Sequence, residues 1–390
     1  MTTGATISQT NRIYDSLLHG REIVASDGHY KTDQYVSFRV DRRLRTESSL
    51  RVSREMTQAF LESELDDKQL ARLEADGYVD LGLDFRDRKG LERLGRLRIS
   101  ARYAYARKAL NLAVRYHASR IFEPSEFDLG DYVERELLVP HRGLDLISAP
   151  MGMTKTSLRA ALLQELNRRY GVTITSYEDP IELLLTPVKG SIEQIEIGPD
   201  VESFFASEPA LRRTDTDIVS YGELRDQPTK RAALNAAKSM HVIATSFAAS
   251  AVEAIDDYIE GFPPQEQSEV RSGLANALHS VTVLRALPRA PGRQLPVDKL
   301  NGRQNIRVAA EILHVNDTVK ALIRRSETHR IRVEQQGPGR EFGSRTLEAH
   351  MAALAAAGEI SVDDPLVRRE IRNEASFQSE LKRLTAEARR

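Results

Sequence analysis

The chain has 390 residues, 41% of them hydrophobic, which is enough for two or three domains each with its own core. Its 56 basic and 57 acidic residues nearly cancel, so bulk charge gives no reason to expect nucleic acid or anionic lipid as the main partner. There is no cysteine, which excludes disulfides and thiolate metal sites, and no run of about 18 apolar residues that would insert in a membrane. The polar start predicts no signal peptide.

Residues 1–35 lack sustained periodicity and are expected to form a flexible tail. Order is expected from "YVSFRVD" onward. A short strand, the helices "SLRVSREMTQAFLESE" and "DDKQLARLEADG", and the strand candidates "YVDLGLDF", "GRLRISARYAYA" and "ALNLAVRYH" make a mixed α/β unit over 36–135. The alternation in "RLRISARY" suits a half-buried antiparallel sheet. Residues 136–142 read as a linker ending in a proline and glycine turn.

From residue 143 to about 285 apolar strands alternate with helices: "GLDLIS", "LRAALLQELNRR", "GVTITSYEDP", "DTDIVSYGELRD", "TKRAALNAAKS", "HVIATSF" and "SAVEAIDDYIEGF". This pattern predicts a largely parallel sheet covered by helices, in a unit spanning 143–330. "LPRAPGRQLPVD" and "RVEQQGPGREFGS" interrupt it. Residues 331–390 read as helical, the last helix being heavily charged.

Between the first of those strands and its helix stands "APMGMTKTS". A phosphate-binding loop needs backbone N–H groups converging on an anion, a helix N-terminus behind them, a lysine for the outer phosphates and a serine or threonine for Mg²⁺. Pro150, Met151, Gly152, Met153, Thr154, Lys155, Thr156 and Ser157 occupy those positions, with Lys155 and Thr156 in the last two roles. Thr154 departs from the motif. The position before the lysine favours positive φ and is normally glycine, and a β-branched residue there costs on the order of 1–3 kcal/mol. The expectation is a different turn, or one that forms only around bound nucleotide.

Two further segments follow in order, the acidic box "EDPIE" from Glu178 to Glu182 and the strand-borne "GELRD" from Gly222 to Asp226. Taken with the loop, they resemble the secretion ATPase superfamily, specifically the PilT-like branch of type IV pilus retraction motors with its conjugation and Dot/Icm-type relatives. "GFPPQEQSEVRSGLANALHSV", "NDTVKALIRR", "GSRTLEAHMAALAAAGEIS" and the upstream "GRLRISARYAYARKALNLAVRYH" are similar to further stretches of that family. The resemblance implies an α/β fold with an N-terminal PAS-like α+β domain, a RecA-like P-loop ATPase core and C-terminal helices.

It also implies roles. ATP and Mg²⁺ would be the cofactors, with Lys155 on the β- and γ-phosphates and Thr156 as the Mg²⁺ ligand. Glu178 would orient the attacking water, with Glu182 the second candidate. Glu223 would stand near Mg²⁺ and the γ-phosphate, with Arg225 and Asp226 supporting the strand end. Arg96, Arg98 and Arg115, alternating on the N-terminal sheet, would reach a neighbouring subunit's nucleotide. The histidine box of the family resembles "GH..ATLHT", whereas this chain reads "MHVIATSFAAS". His241 is kept, but Phe247 replaces a histidine and cannot donate to a phosphate.

By the same resemblance the protein is expected to be a homohexameric cytoplasmic motor ATPase. It would be peripheral at the inner membrane through a platform protein of a pilus, conjugation or secretion apparatus, without membrane insertion and without nucleic acid as partner. The alternative is a catalytically impaired member serving as a nucleotide-sensing or structural ring, which Thr154 and Phe247 motivate. The nine histidines are scattered, with no HExxH pair and no cysteine partners, so their spacing predicts no zinc site.

Overall fold

The computed structural model describes residues 4–87, 89, 92–204, 211, 213–297 and 304–387. The chain divides into two compact units, one of residues 1–120 with 295–305 and one of residues 121–294 with 306–390.

The first unit is built on a six-stranded sheet in the order β3-β2-β1-β6-β5-β4. Its strands are β1 Asp27–Tyr30, β2 Tyr35–Val40, β3 Arg43–Arg51, β4 Tyr78–Arg86, β5 Arg93–Ala104 and β6 Ala109–Tyr116, every neighbouring pair antiparallel. Alternation along β5 sends Leu97, Ile99 and Ala101 into the core and leaves Arg96 and Arg98 on the half-exposed face, as a strand period of two requires. Helix α2, Arg54–Glu64, is capped by the Ser53 hydroxyl, which accepts from the Met56 N–H. Helix α3, Asp67–Asp76, starts on a capping box between Asp66 and Gln69 and stops at the left-handed Gly77.

Two expectations fail here. The tail before residue 35 is not structureless: α1 spans Gly4–Glu22, and Ile13 and Leu17, one helical turn apart, are fully buried in the core of this unit. A short apolar stripe in an otherwise polar segment was enough, because tertiary burial rather than overall hydropathy holds the helix. The first three residues of that expected tail lie outside the described residues. The helix expected from residue 49 begins only at Arg54, since Arg43–Arg51 pair with β2.

The second unit carries a seven-stranded sheet in the order β13-β12-β7-β11-β10-β8-β9. The strands are β7 Gly143–Ser148, β8 Ile174–Glu178, β9 Ile192–Glu196, β10 Ile218–Tyr221, β11 His241–Ser246, β12 Leu278–Pro288 and β13 Ile306–His314. All neighbours are parallel except β12 and β13. β7, β8 and β10 are buried along their whole length, the mark of a parallel sheet covered on both faces. One face packs Leu146, Val219, Tyr221 and Val242 with α5 Gln227–Ala236, α6 Ala251–Glu260 and α7 Pro264–Ala277. The other packs Ile147, Ile218 and Ile243 against Leu158, Leu162 and Leu166 of α4, Lys155–Tyr170.

The expected linker also carries structure. Val133–Leu137 form a single π-helical turn, with Val133, Leu137 and Leu138 buried. After β13 come α8 Asp317–Arg324, α9 Ile331–Gln336 and α10 Leu347–Ala356, then α11 Pro365–Arg368 and α12 Glu374–Glu387. Leu347, Met351 and Phe377 from this region share a core with Leu287 and Ala309 of the sheet. The α/β class and the layered core agree with expectation.

Candidate nucleotide site

β7, β11, β10 and β8 run parallel, so their carboxyl ends form one edge of the sheet, which is where open α/β sheets bind ligands. At that edge β7 ends at Ser148, and after six intervening residues α4 begins at Lys155. The loop is anchored to β11 by the Ala149 N–H to the Ser246 carbonyl at 3.4 Å, and by the Ser148 hydroxyl to the Ala248 carbonyl at 2.9 Å.

The turn itself is the one the motif demands. Gly152 has φ 76°, and Thr154 has φ 69° and ψ 12°, so threonine takes the left-handed conformation usually left to glycine. The expected alternative turn is not adopted. Thr154 makes no side-chain cap to the helix, and its hydroxyl donates to its neighbour's carbonyl, Met153 O, at 2.6 Å. The first-turn N–H groups of α4 are therefore left for an anion.

Lys155 points along the end of β11. Its ammonium donates to the Ser246 carbonyl at 2.8 Å and lies 3.2 Å from the centroid of the Phe247 ring. Phe247, read in the sequence only as a lost histidine, thus faces the lysine.

The acidic segments converge on the same edge. The Gly222 N–H donates to the Tyr177 carbonyl at 2.7 Å, and the Thr245 hydroxyl to the Gly222 carbonyl at 2.5 Å. A Cβ on Gly222 would stand 3.1 Å from the Tyr177 carbonyl oxygen, so this crossing favours glycine. Glu223 follows, its carboxylate 2.8 Å from Arg225, which also reaches Asp179 at 3.0 Å. Burial works against the charged Arg225 guanidinium, but Glu223 and Asp179 outweigh it and raise its pKa. Asp226 is a helix cap, accepting from the Thr229 N–H at 2.8 Å.

Glu178, the expected water-orienting residue, ends β8 on this same edge, but its carboxylate is turned into the interior. It is 2% exposed and bound by the Arg159 guanidinium at 2.5 Å, the Ser176 hydroxyl at 2.9 Å and the Gln194 amide at 2.9 Å. Arg159, from the buried face of α4, also donates to Ser220 at 2.9 Å. With its oxygens taken up in this network, Glu178 braces α4 against β8 and β10. Glu182 is half-buried. Arg159 was missed in the sequence because an arginine inside a helix normally marks the wet face.

In the first unit Arg98 and Arg115 are direct cross-strand partners, Arg115 held by Asp27 at 3.1 Å and Arg98 lying 3.8 Å from Asp80. Arg96 stands two residues before Arg98 on the same half-exposed face.

The family described as Type II/IV secretion system protein matches residues 104–282. The uncharacterized protein YggR of Escherichia coli K12 is 34% identical over 269 residues, covering 68% of this chain and 76% of YggR. The chain belongs to the type II/IV secretion system protein family. Within it the chain is of the PilT-like branch of secretion ATPases, and PilT and PilU of Pseudomonas aeruginosa are among the relatives described as ATPases. The type IV pilus retraction ATPase PilT of Pseudomonas aeruginosa is 29% identical over 339 residues, 86% of this chain and 92% of PilT. A crystal structure of the pilus retraction motor PilT with bound ADP superimposes with a TM-score of 0.75 at 24% identity, covering 94% of this chain and 99% of that one. The Legionella pneumophila ATPase DotB gives 0.73 at 18% identity, over 90% and 93%. Those two likenesses establish the secretion-ATPase fold. No described helix is long and apolar enough to cross a membrane.

Proposed function

We propose that the protein is a hexameric motor ATPase that couples ATP hydrolysis to type IV pilus retraction or to a related secretion or conjugation apparatus. It would work in the cytoplasm against an inner-membrane platform protein. The observation that carries this reading is the left-handed Thr154 turn, which delivers Lys155 and the open N-terminus of α4 to the strand edge bearing Glu223. Lys155 holds the outer phosphates, the first-turn N–H groups of α4 surround them, and the Thr156 hydroxyl is placed to hold Mg²⁺. Mg²⁺ bound with ATP neutralises charge on the phosphate oxygens. Glu223 polarises the attacking water, held in place by Arg225, while Arg159 and Glu178 keep α4 fixed to the sheet. Arg96, Arg98 and Arg115 are proposed to act on a neighbouring subunit's nucleotide.

A specific observation favours a second reading. Lys155 rests on Phe247 and the Ser246 carbonyl, so binding must first detach it, and a ring that senses nucleotide with little turnover fits that arrangement. The deciding experiment is titration of a fluorescent ATP analogue with Mg²⁺ against the wild type and Lys155→Ala, with phosphate release followed in the same samples and mass measured by light scattering. Lysine-dependent binding with turnover in a hexamer supports the motor. Binding without turnover supports the sensing ring, and absence of binding by either protein defeats both.

A further inference from the structure

Spacing in the sequence gave no hint of a metal site, yet the fold gathers four of the histidines at the edge of the core sheet opposite the nucleotide loop. His141 precedes β7, His241 opens β11, His279 is the second residue of β12 and His314 ends the antiparallel β13. Their rings pack together, with centroids 4.1 Å apart for His141 and His241, 3.8 Å for His141 and His279, and 5.3 Å for His279 and His314.

The carboxylate at the centre of this group is Asp145 on β7, 1% exposed. It accepts from Ser280 Oγ at 2.5 Å and lies 2.9 Å from His279 Nδ1 and 2.8 Å from His241 Nε2. The contact with His279 fixes its chemistry. An Nδ1–H directed at Asp145 leaves the lone pair on Nε2, and that atom faces Glu136 Oε2 at 3.6 Å. The same carboxylate oxygen is 3.6 Å from His314 Nδ1, a buried nitrogen with no hydrogen-bond partner. Ligand atoms of Glu136, His279 and His314 all lie within 4.8 Å of one another. With both imidazoles neutral and the proton of His314 on Nε2, these three groups present electron-pair donors to a common point. A lone pair opposed to a carboxylate is repulsive unless a cation lies between.

We propose that Glu136, His279 and His314 bind a divalent transition-metal ion, with Zn²⁺ the best match, and that Asp145 orients His279 for it. Two imidazoles and one carboxylate are a common donor set for zinc, and a tetrahedral ion with bonds of about 2.0–2.1 Å needs its ligand atoms about 3.3 Å apart, against 3.6 Å from Glu136 to each histidine and no more than 4.8 Å between any two of the three. The Asp145–His279 pair supplies the carboxylate–histidine contact that such ligands use to fix their tautomer. Glu136, His279 and His314 keep 27%, 23% and 17% of their side-chain surface, so an ion can enter and a water can complete its shell. Glu136 sits in the π-helical turn Val133–Leu137, and His314 is held between the rings of Tyr132 and Phe342. The ion joins the π-turn to β12 and β13, and its role is structural.

The test uses tag-free full-length protein stripped with EDTA, titrated with ZnCl₂ by calorimetry and with CoCl₂ by visible absorption. One ion per chain is expected, with the strong visible bands of low-coordinate cobalt and a raised Tm. His314→Ala and Glu136→Gln should weaken binding at least a hundredfold, Asp145→Asn by about 10- to 100-fold with a shifted cobalt spectrum, and exposed His329→Ala not at all. Glu136→Gln keeps the shape of a half-exposed side chain, so it decides the matter if His314→Ala does not fold. No bound ion, or binding that survives both Glu136→Gln and His314→Ala, overturns the proposal; in the first case a proton on His279 does the neutralising, in the second an ion is held elsewhere.

Discussion

Lys155 and Phe247 lie 92 positions apart in the chain and meet at the head of the nucleotide loop, the ammonium 3.2 Å from the ring centroid. The lysine proposed to bind phosphate is thereby held by a residue that cannot itself bind phosphate. Because Phe247 is about half exposed, the contact is worth about 0.5–1 kcal/mol, which nucleotide must overcome to recruit the lysine. Phe247→Ala should therefore tighten MgATP binding by about two- to fivefold. Titration with a fluorescent analogue checks this, and weaker binding by the variant would mean that the ring pre-positions the lysine.

Thr154 holds a left-handed turn at φ 69°. A β-branched residue in that region is strained, and glycine there is not, although glycine also loses more entropy on folding. The strain is the larger effect, so Thr154→Gly should stabilise the second unit by about 1 kcal/mol. Urea denaturation reads this directly. Unchanged or reduced stability would show that the hydrogen bond from the Thr154 hydroxyl to the Met153 carbonyl already relieves the turn.

The position of Glu178 separates bracing from chemistry. Removing one member of a buried ion pair costs about 3–5 kcal/mol, because the other charge is left unpaired. Glu178→Gln should lower stability by about that much, and replacing Arg159 and Glu178 together with apolar residues should recover most of it. Glu223→Gln, in contrast, should leave folding within about 1 kcal/mol and keep nucleotide binding, while turnover falls about a hundredfold or more. If Glu178→Gln folds as well as the wild type and loses only turnover, the bracing role is wrong and the water-orienting role returns.

These three sites mark where the sequence was and was not informative. Alternation of apolar strands with helices located the parallel sheet, and "APMGMTKTS" located the loop, because both signals are local: strand period, turn chemistry and the helix start lie within a few residues of one another. Arg159 pairing with Glu178, Phe247 covering Lys155 and the histidines around Asp145 are products of strand order. β7, β11, β10 and β8 become neighbours only in the folded sheet, and no spacing rule predicts which of their side chains meet. Helix α1 escaped for a different reason: Ile13 and Leu17 are a short apolar stripe that becomes meaningful only once a core is present to receive it.

A titrating group in the core of the second unit gives the last prediction. His350 on α10 is buried, and its Nδ1 accepts from the Ala310 N–H of β13 at 2.9 Å. Burial, with Arg345 nearby, lowers its pKa from the ordinary 6.5 to about 3. A histidine so depressed is neutral in the folded protein and charged in the unfolded chain below about pH 6.5. The unfolded state then binds more protons, so the stability that this group contributes is intact above pH 6.5 and is lost as pH falls toward 3. Within that window the loss is about 1.4 kcal/mol per pH unit. His350→Asn retains an acceptor for the Ala310 N–H but cannot titrate. Stability of the two proteins, measured by urea denaturation at a series of pH values, should run parallel above pH 7 and diverge below it, the wild type falling more steeply. Curves that stay parallel down to pH 4 would mean that His350 takes up its proton without leaving the core.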